Sequence, residues 1–473
     1  MPPSASESEI ALDVKNGTST ETPVPAEVPS EPEPEIEEGG VKAWMTIVGG
    51  WLAIFASFGY ANAFGVYQDL YTRENAASAS RISWIGSTQL FFLIATGLPA
   101  GKLFDLGYFR HTVITGAILY VFSIFMLSLA HPDKYYQLFL SQGVGMGIGA
   151  GMLYMPATAV QARHWTKRRP LAMGIVSSGS SAGGIVYPIM LNQLLHNGHT
   201  SFAWAVRASG FLTLGILVLA CLLMFPGKPR PRQELPSLKT LFTDVPYVLT
   251  SSQVRVTNIR NGNFVDFYLQ LYSILHGVDS TLAFYTLAIM NGASVFGRTL
   301  PNLLAQRIGL FNTLIPIAII CGVLIIALLG ITSAAGIVVF AVLYGFFSGA
   351  YVSILSPTAA ELSNTPGEVG LRMGVAFFFA AIGVLTGPPI DGRVLGPTFI
   401  WHKAVIFSAV RTSFSVVSEA EETKDERIGD DVRFGRLHLR WTAFPRQAER
   451  YPARMRCALL VLCHVLSLAV ADQ

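Results

Sequence analysis

The chain has 473 residues, of which 51% are hydrophobic and only 13% charged, and its formal net charge is +3. An average soluble domain carries about 25% charged residues. Here the charges are squeezed between apolar blocks of about 20 residues, the length that crosses the roughly 30 Å hydrocarbon core of a bilayer, so an ordinary soluble globule is excluded.

Residues 1–38 hold seven prolines and ten acids against one lysine. That composition cannot build a core and reads as a disordered cytosolic tail. No cleavable signal peptide is visible, and the sequon at Asn16 is expected to stay unused. Apolar spans follow at about 44–69, 82–100, 109–130, 135–160, 171–195 and 203–225. A polar connector covers 226–245. Further spans read at about 281–300, 310–331, 335–358, 371–390 and 398–417. Between connector and eighth span, FVDFYLQLYSIL (264–275) is apolar enough for half a helix, whereas SSQVRVTNIRNGN before it is not. The expected architecture is an all-α polytopic membrane protein of twelve helices. Six form an N-terminal bundle (39–225) and six a C-terminal bundle (246–417), with the seventh and twelfth helices irregular. The tail 418–473 is polar and atypical; its apolar stretch 457–471 is short for a span. The four cysteines, Cys221, Cys321, Cys457 and Cys463, have the spacing of neither a zinc site nor a disulfide framework.

Lysine and arginine accumulate in cytoplasmic loops. With the N-terminus inside, the even-numbered loops hold Lys102 and Arg110, then Arg163, Lys167, Arg168 and Arg169, then Lys228, Arg230, Arg232 and Lys239. Both termini are therefore expected in the cytosol, with the plasma membrane as first location and the vacuolar membrane as second.

In HWTKRRPLAMGIVSSGSSAGG (164–184) three cations sit before Pro170, which suits a first helical position because its missing N–H leaves nothing unsatisfied. Gly174, Ser178 and Ala182 then recur every four positions, as do Gly179 and Gly183. The fourth span repeats the device with Gly143, Gly147 and Gly151 on one face and Gly145 and Gly149 on another. Small faces let helices approach closely in lipid. Neither G-x-G-x-x-G nor G-x-x-x-x-G-K is met, so a phosphate loop is disfavoured.

Three stretches carry a family resemblance: EGGVKAWMTIVGGW (38–51), HWTKRRPLAMGIVSSG (164–179) and GKLFDLG (101–107). With six plus six spans they resemble the major facilitator superfamily and, more narrowly, a fungal monocarboxylate-porter-like transporter. The resemblance implies two six-helix bundles that rock about a substrate held between them near the midplane. It implies a gate built from Gly101, Asp105 and Gly107 together with Lys167, Arg168 and Arg169; the other reading of Asp105 is a simple helix-end turn. Leu106 stands where the superfamily usually has arginine.

An ionisable group inside a span is costly and is a functional hypothesis by default. Arg298 resembles in position a family arginine that pairs with a substrate carboxylate. The competing reading is an end-of-helix arginine snorkelling to lipid headgroups, which the loop-like GRTLPNLLAQRIG favours. Animal members carry an aspartate where this chain has Ser294, and a first-span lysine that is missing here. Asn62, Tyr67 and Gln68 in the first span, Tyr154 in the fourth, Asn291 in the eighth and Tyr351 in the tenth are further candidates for the substrate path. Their alternative is helix–helix hydrogen bonding. Phe377 to Phe379 read as packing or lipid-facing residues outside the site.

The expected function is secondary active transport of small organic anions such as monocarboxylates, with protons as candidate coupling ion. The alternatives are export of a larger secondary metabolite and a transporter-like sensor without turnover. No cofactor, metal, nucleic acid or second subunit is called for. Enzyme signatures such as H-E-x-x-H and G-x-S-x-G are missing, as is the Walker sequence of an ATP-driven pump. The two irregular stretches both begin Val-Arg, at 254–255 and 410–411. GTACGT, a plausible intron start, would be read as Val-Arg in frame, so the expectation is a splice misreading, and cDNA retaining both stretches in frame would refute it.

Overall fold

The computed structural model describes residues 39–74, 77–196, 200–227, 263–361 and 369–395, all within one compact unit, Met1–Glu419. The acidic tail, most of the connector, the interruption at 254–262, the twelfth span and the C-terminal tail lie outside the described residues.

Among the described residues, nine helices or helix pairs are long and apolar enough to cross a membrane: Val41–Arg73, Arg81–Asp105, Phe109–Leu129, Tyr135–His164, Arg169–Leu195, Phe202–Leu223, Leu310–Gly330, Ala334–Glu361 and Val369–Thr386. The helices Asn263–Leu275 and Ser280–Ile308 stand where the seventh and eighth spans are expected but are not among those nine. The seventh begins at Asn263, so the stretch read as half a helix is one. At 1.5 Å per residue its 13 residues reach about 20 Å. The eighth span starts at an N-cap: the Asp279 carboxylate accepts from the backbone N–H of Leu282 at 3.2 Å and of Thr281 at 3.0 Å. These bonds, Leu282 first, hold its carboxyl below the usual carboxylate range.

Several spans depart from regular helix. The first breaks after Ala61 and resumes at Phe64, with Asn62 and Ala63 carrying the turn. The second breaks at Thr96. The fourth contains a π-helical stretch, Phe139–Met146.

The small-residue faces do what lipid physics requires of them. A Cβ on Gly179 or Gly183 would collide with the carbonyls of Trp51 or Phe55, so the first and fifth spans meet backbone to backbone. Gly147 and Gly151 press on Gln89 and Leu93 of the second span, while Gly149 takes Tyr120 of the third. The C-terminal half uses the same device, with Gly297 under the Phe346 carbonyl and Gly345 under that of Met290. Lipid tails are as apolar as leucine, so close approach and buried hydrogen bonds hold such helices together. A tyrosine cluster adds to this in the N-terminal half: the Tyr60 hydroxyl is bonded to those of Tyr67 and Ser209, and Tyr187 to Thr213.

Candidate functional site

The two halves touch along two seams. The fifth span packs on the eighth and tenth, and the second span packs on the eleventh. The candidate site lies on the first seam.

Arg298 is not an end-of-helix residue. Its helix runs ten residues further, to Ile308, about 15 Å at 1.5 Å per residue. The guanidinium is half-buried between the halves. Nε donates to Ser294 Oγ one turn back at 3.2 Å, and Nη1 donates across the seam to the Ser177 carbonyl at 3.2 Å. Ser181 donates to Ser294 at 3.0 Å, closing a chain of serines around the cation. One turn beyond, Asn302 donates to the Arg298 carbonyl and to Ser353 Oγ, both at 2.8 Å. Ser294 is thus the arginine's own neighbour.

Towards the other end of the seam, two amides converge. Asn62, at the break of the first span, donates to the Ser180 carbonyl at 3.2 Å. Asn291 of the eighth span donates to the Leu287 carbonyl at 3.0 Å. Both flank Gly184: a Cβ there would stand 2.7 Å from Asn62 Nδ2 and 3.1 Å from Asn291 Oδ1. Asn62 thus bonds the fifth span and stands beside Gly184 at the seam.

Tyr154 completes the centre. Its ring lies 5.6 Å from that of Phe58 and 5.8 Å from that of Phe377, joining the first, fourth and eleventh spans. Phe377, set aside on sequence, thus touches a candidate residue across the halves. Its neighbour Gly97 in the second span, which leaves room for both Phe377 and Met155, was the available signal. The remaining candidates sit elsewhere. Tyr67 is fully buried in the N-terminal core, bonded to Tyr60. Gln68 is half-buried one residue on. Tyr351 packs into the C-terminal core with Ala305, Leu314 and Cys321.

The second seam carries the Asp105 contact. Its carboxylate accepts the backbone N–H of Gly370 at 3.1 Å and of Leu371 at 2.7 Å, at the start of the eleventh span. Gly101, one turn earlier, lies against the Gly370 carbonyl, and Gly107, with φ 91°, makes the turn that follows. Beside it Arg163 stacks on the Phe104 ring at 3.9 Å and donates to the Phe104 carbonyl at 2.9 Å. Lys167 and Arg168 are exposed and Arg169 half-buried at the start of the fifth span.

Known proteins resemble this arrangement. The Major Facilitator Superfamily model matches residues 50–388. The aspyridones efflux protein of Emericella nidulans is 40% identical over 393 residues, 82% of this chain and 79% of that protein. The agnestins efflux protein of Paecilomyces divaricatus is 37% identical over 397 residues, 80% and 89% of the two chains. Among solved structures, the E. coli fucose:proton symporter shares the fold with a TM-score of 0.62 at 16% identity, over 79% of this chain and 98% of that one.

Proposed function

The chain belongs to the Major Facilitator Superfamily, whose members transport rather than catalyse, and from that premise we propose that it exports a small organic metabolite by alternating access. The relatives described as efflux proteins, similar over more than three-quarters of both chains, carry this reading. They favour export over monocarboxylate uptake, the first expectation from sequence.

In this reading the substrate lies on the seam between fifth and eighth spans. Arg298 supplies the positive charge that an acidic group would meet. Asn62 and Asn291 offer hydrogen bonds from opposite halves, and Tyr154, Phe58 and Phe377 offer aromatic faces. A site with cation, amides and rings fits an acidic, ring-bearing molecule better than a two- or three-carbon acid, which leaves most of that surface unused. The Asp105 contact closes the other seam while the substrate is taken up or released. The connector and both termini lie on the cytosolic side, and the plasma membrane is the site of action.

The test is release from yeast cells lacking their own multidrug pumps, preloaded with a labelled panel of aromatic organic acids and with lactate. Faster release of at least one aromatic acid, lost in Arg298→Ala, supports export. Unchanged release of the whole panel alongside proton-driven lactate uptake overturns it in favour of a monocarboxylate porter.

A further inference from the structure

The transport site uses the polar residues of the eighth span as far as Arg298, and two more lie beyond it. Ser294, Arg298, Asn302 and Gln306 recur every four positions, and residues four apart are neighbours on one helix face. The row runs from the centre of the seam to the end where the fifth span begins. There His164, just before that span, is bonded to the Phe225 carbonyl at the start of the connector. Gln306 stands about 12 Å from Arg298 along the helix axis, at 1.5 Å per residue.

Asn302 is fully buried. Its Nδ2 donates to the Arg298 carbonyl and to Ser353 Oγ. A carbonyl oxygen can only accept, so the amide cannot be turned round and Oδ1 remains an acceptor. Among the described residues Oδ1 is buried with no donor, and one turn on Gln306 Nε2 is a buried donor with no acceptor. Native proteins pair nearly all such atoms, because a buried polar group without a partner forfeits the bonds that water gave it. An acceptor and a donor left over on adjacent turns together fit one group that both donates and accepts. The fifth span covers Asn302 at Gly174, where a Cβ would stand 2.6 Å from Asn302 Nδ2.

We propose that Asn302 and Gln306 form a second subsite, on the connector side of Arg298, for a hydroxyl group of the substrate. The hydroxyl donates to Asn302 Oδ1 and accepts from Gln306 Nε2. This rests on the reading that Arg298 meets an acidic group, and it narrows the substrate to organic acids that carry a hydroxyl away from the acid. Gly174 of the fifth span and Ser353 of the tenth wall the subsite, so it takes its ligand as the fifth span parts from the eighth. A molecule moving along the seam then passes from one polar row to the next without leaving its hydroxyl unpaired in an apolar interior. An acid without the hydroxyl leaves both protein atoms unpaired, which is how a site built to bond a hydroxyl rejects the analogue lacking it.

Equilibrium binding of labelled 4-hydroxycinnamate and cinnamate tests this on the full chain in nanodiscs. The two acids differ only in a hydroxyl, at the opposite end of a rigid molecule from the carboxylate. The natural chain should bind the hydroxylated acid about tenfold more tightly, the net gain of one or two hydrogen bonds. Gln306→Met and Asn302→Leu should each cut that ratio to about threefold, as the loss of one of the two bonds implies, and the double variant should bring it near unity. Gln306→Met breaks no bond among the described residues, so its melting temperature should not fall, which separates lost recognition from lost folding. A ratio near unity in the natural chain overturns the proposal and leaves the two atoms to a structural water. So does a ratio that survives both substitutions, and so does a chain that binds no 4-hydroxycinnamate. The assay involves no transport, so the export reading fails separately: a tenfold ratio in a chain that releases neither acid from cells overturns export while the subsite stands.

Discussion

The Asp105 carboxylate accepts the backbone N–H of Leu371 at 2.7 Å across a separation of 266 positions, joining the end of the second span to the start of the eleventh. With the Gly370 N–H it makes two charge-assisted bonds between the halves. Hydrogen bonds to charged groups are worth about 1.5–3 kcal/mol. Asp105→Ala should therefore shift the equilibrium towards opening on this face by about tenfold or more, and Asp105→Asn by less. The rate at which a cysteine at Ser177 is alkylated from that face measures the shift; equal rates in wild type and Asp105→Ala would remove the latch.

Arg298→Ala should cost far more activity than stability. Interhelical hydrogen bonds in membranes average about 0.6 kcal/mol, so thermal unfolding should move little. Transport should fall at least tenfold, because the cation on the seam is lost. Arg298→Lys should give an intermediate rate, since ammonium keeps the charge but not the fork that reaches Ser294 and Ser177 together. Paired thermal-melt and release measurements decide this.

Gly184→Ala should block transport through Asn62, which a new methyl would meet at 2.7 Å, and Asn291 at 3.1 Å. Adding Asn62→Ala to Gly184→Ala should restore part of the release rate, because the nearer of the two collisions is gone. A double variant as inactive as Gly184→Ala would mean that losing the amide proposed to meet the substrate outweighs relief of the collision.

Two glycines of the eighth span separate packing from composition. A Cβ on Gly297 overlaps the Phe346 carbonyl oxygen, whereas one on Gly292 comes no nearer than 3.9 Å, to Ile185. Gly297→Ala should destabilise by about 1–3 kcal/mol, as overpacking does, and Gly292→Ala should be near neutral. Melting temperatures of the purified variants check the contrast.

Asp279 gives a pH signature. Its folded carboxyl is held low by the Leu282 and Thr281 N–H groups. The cap therefore stabilises above the unfolded value, about pH 4, and is lost as pH falls through the folded one. Asp279→Asn should cap without this pH dependence, visible as a flatter profile of melting temperature between pH 3 and 6.

The span pattern, the small-residue faces and the Asp105 turn were all legible, because bilayer thickness and close approach leave direct marks on composition. The depth of Arg298 was not. GRTLPNLLAQRIG reads like a loop, yet Asn302 is fully buried and spends its amide on Arg298 and Ser353. Only the partner helix reveals where such an amide N–H₂ finds its acceptors. Phe377 was missed for a related reason: in a membrane protein an apolar ring looks the same whether it faces lipid or the other half. Gly345 and Gly349, which seat the tenth span on the eighth, did carry a readable four-residue spacing.

The seam between second and eleventh spans has one more property. Gly101 lies on Gly370 and Gly97 on Gly374, so two bare backbones touch one turn apart. The glycines themselves have no rotamer to freeze on contact, so the side-chain ordering at this seam falls on neighbours such as Asp105. Under the proposed alternating-access reading, the strength of this contact would be set by the Asp105 bonds and by backbone packing rather than by large side chains.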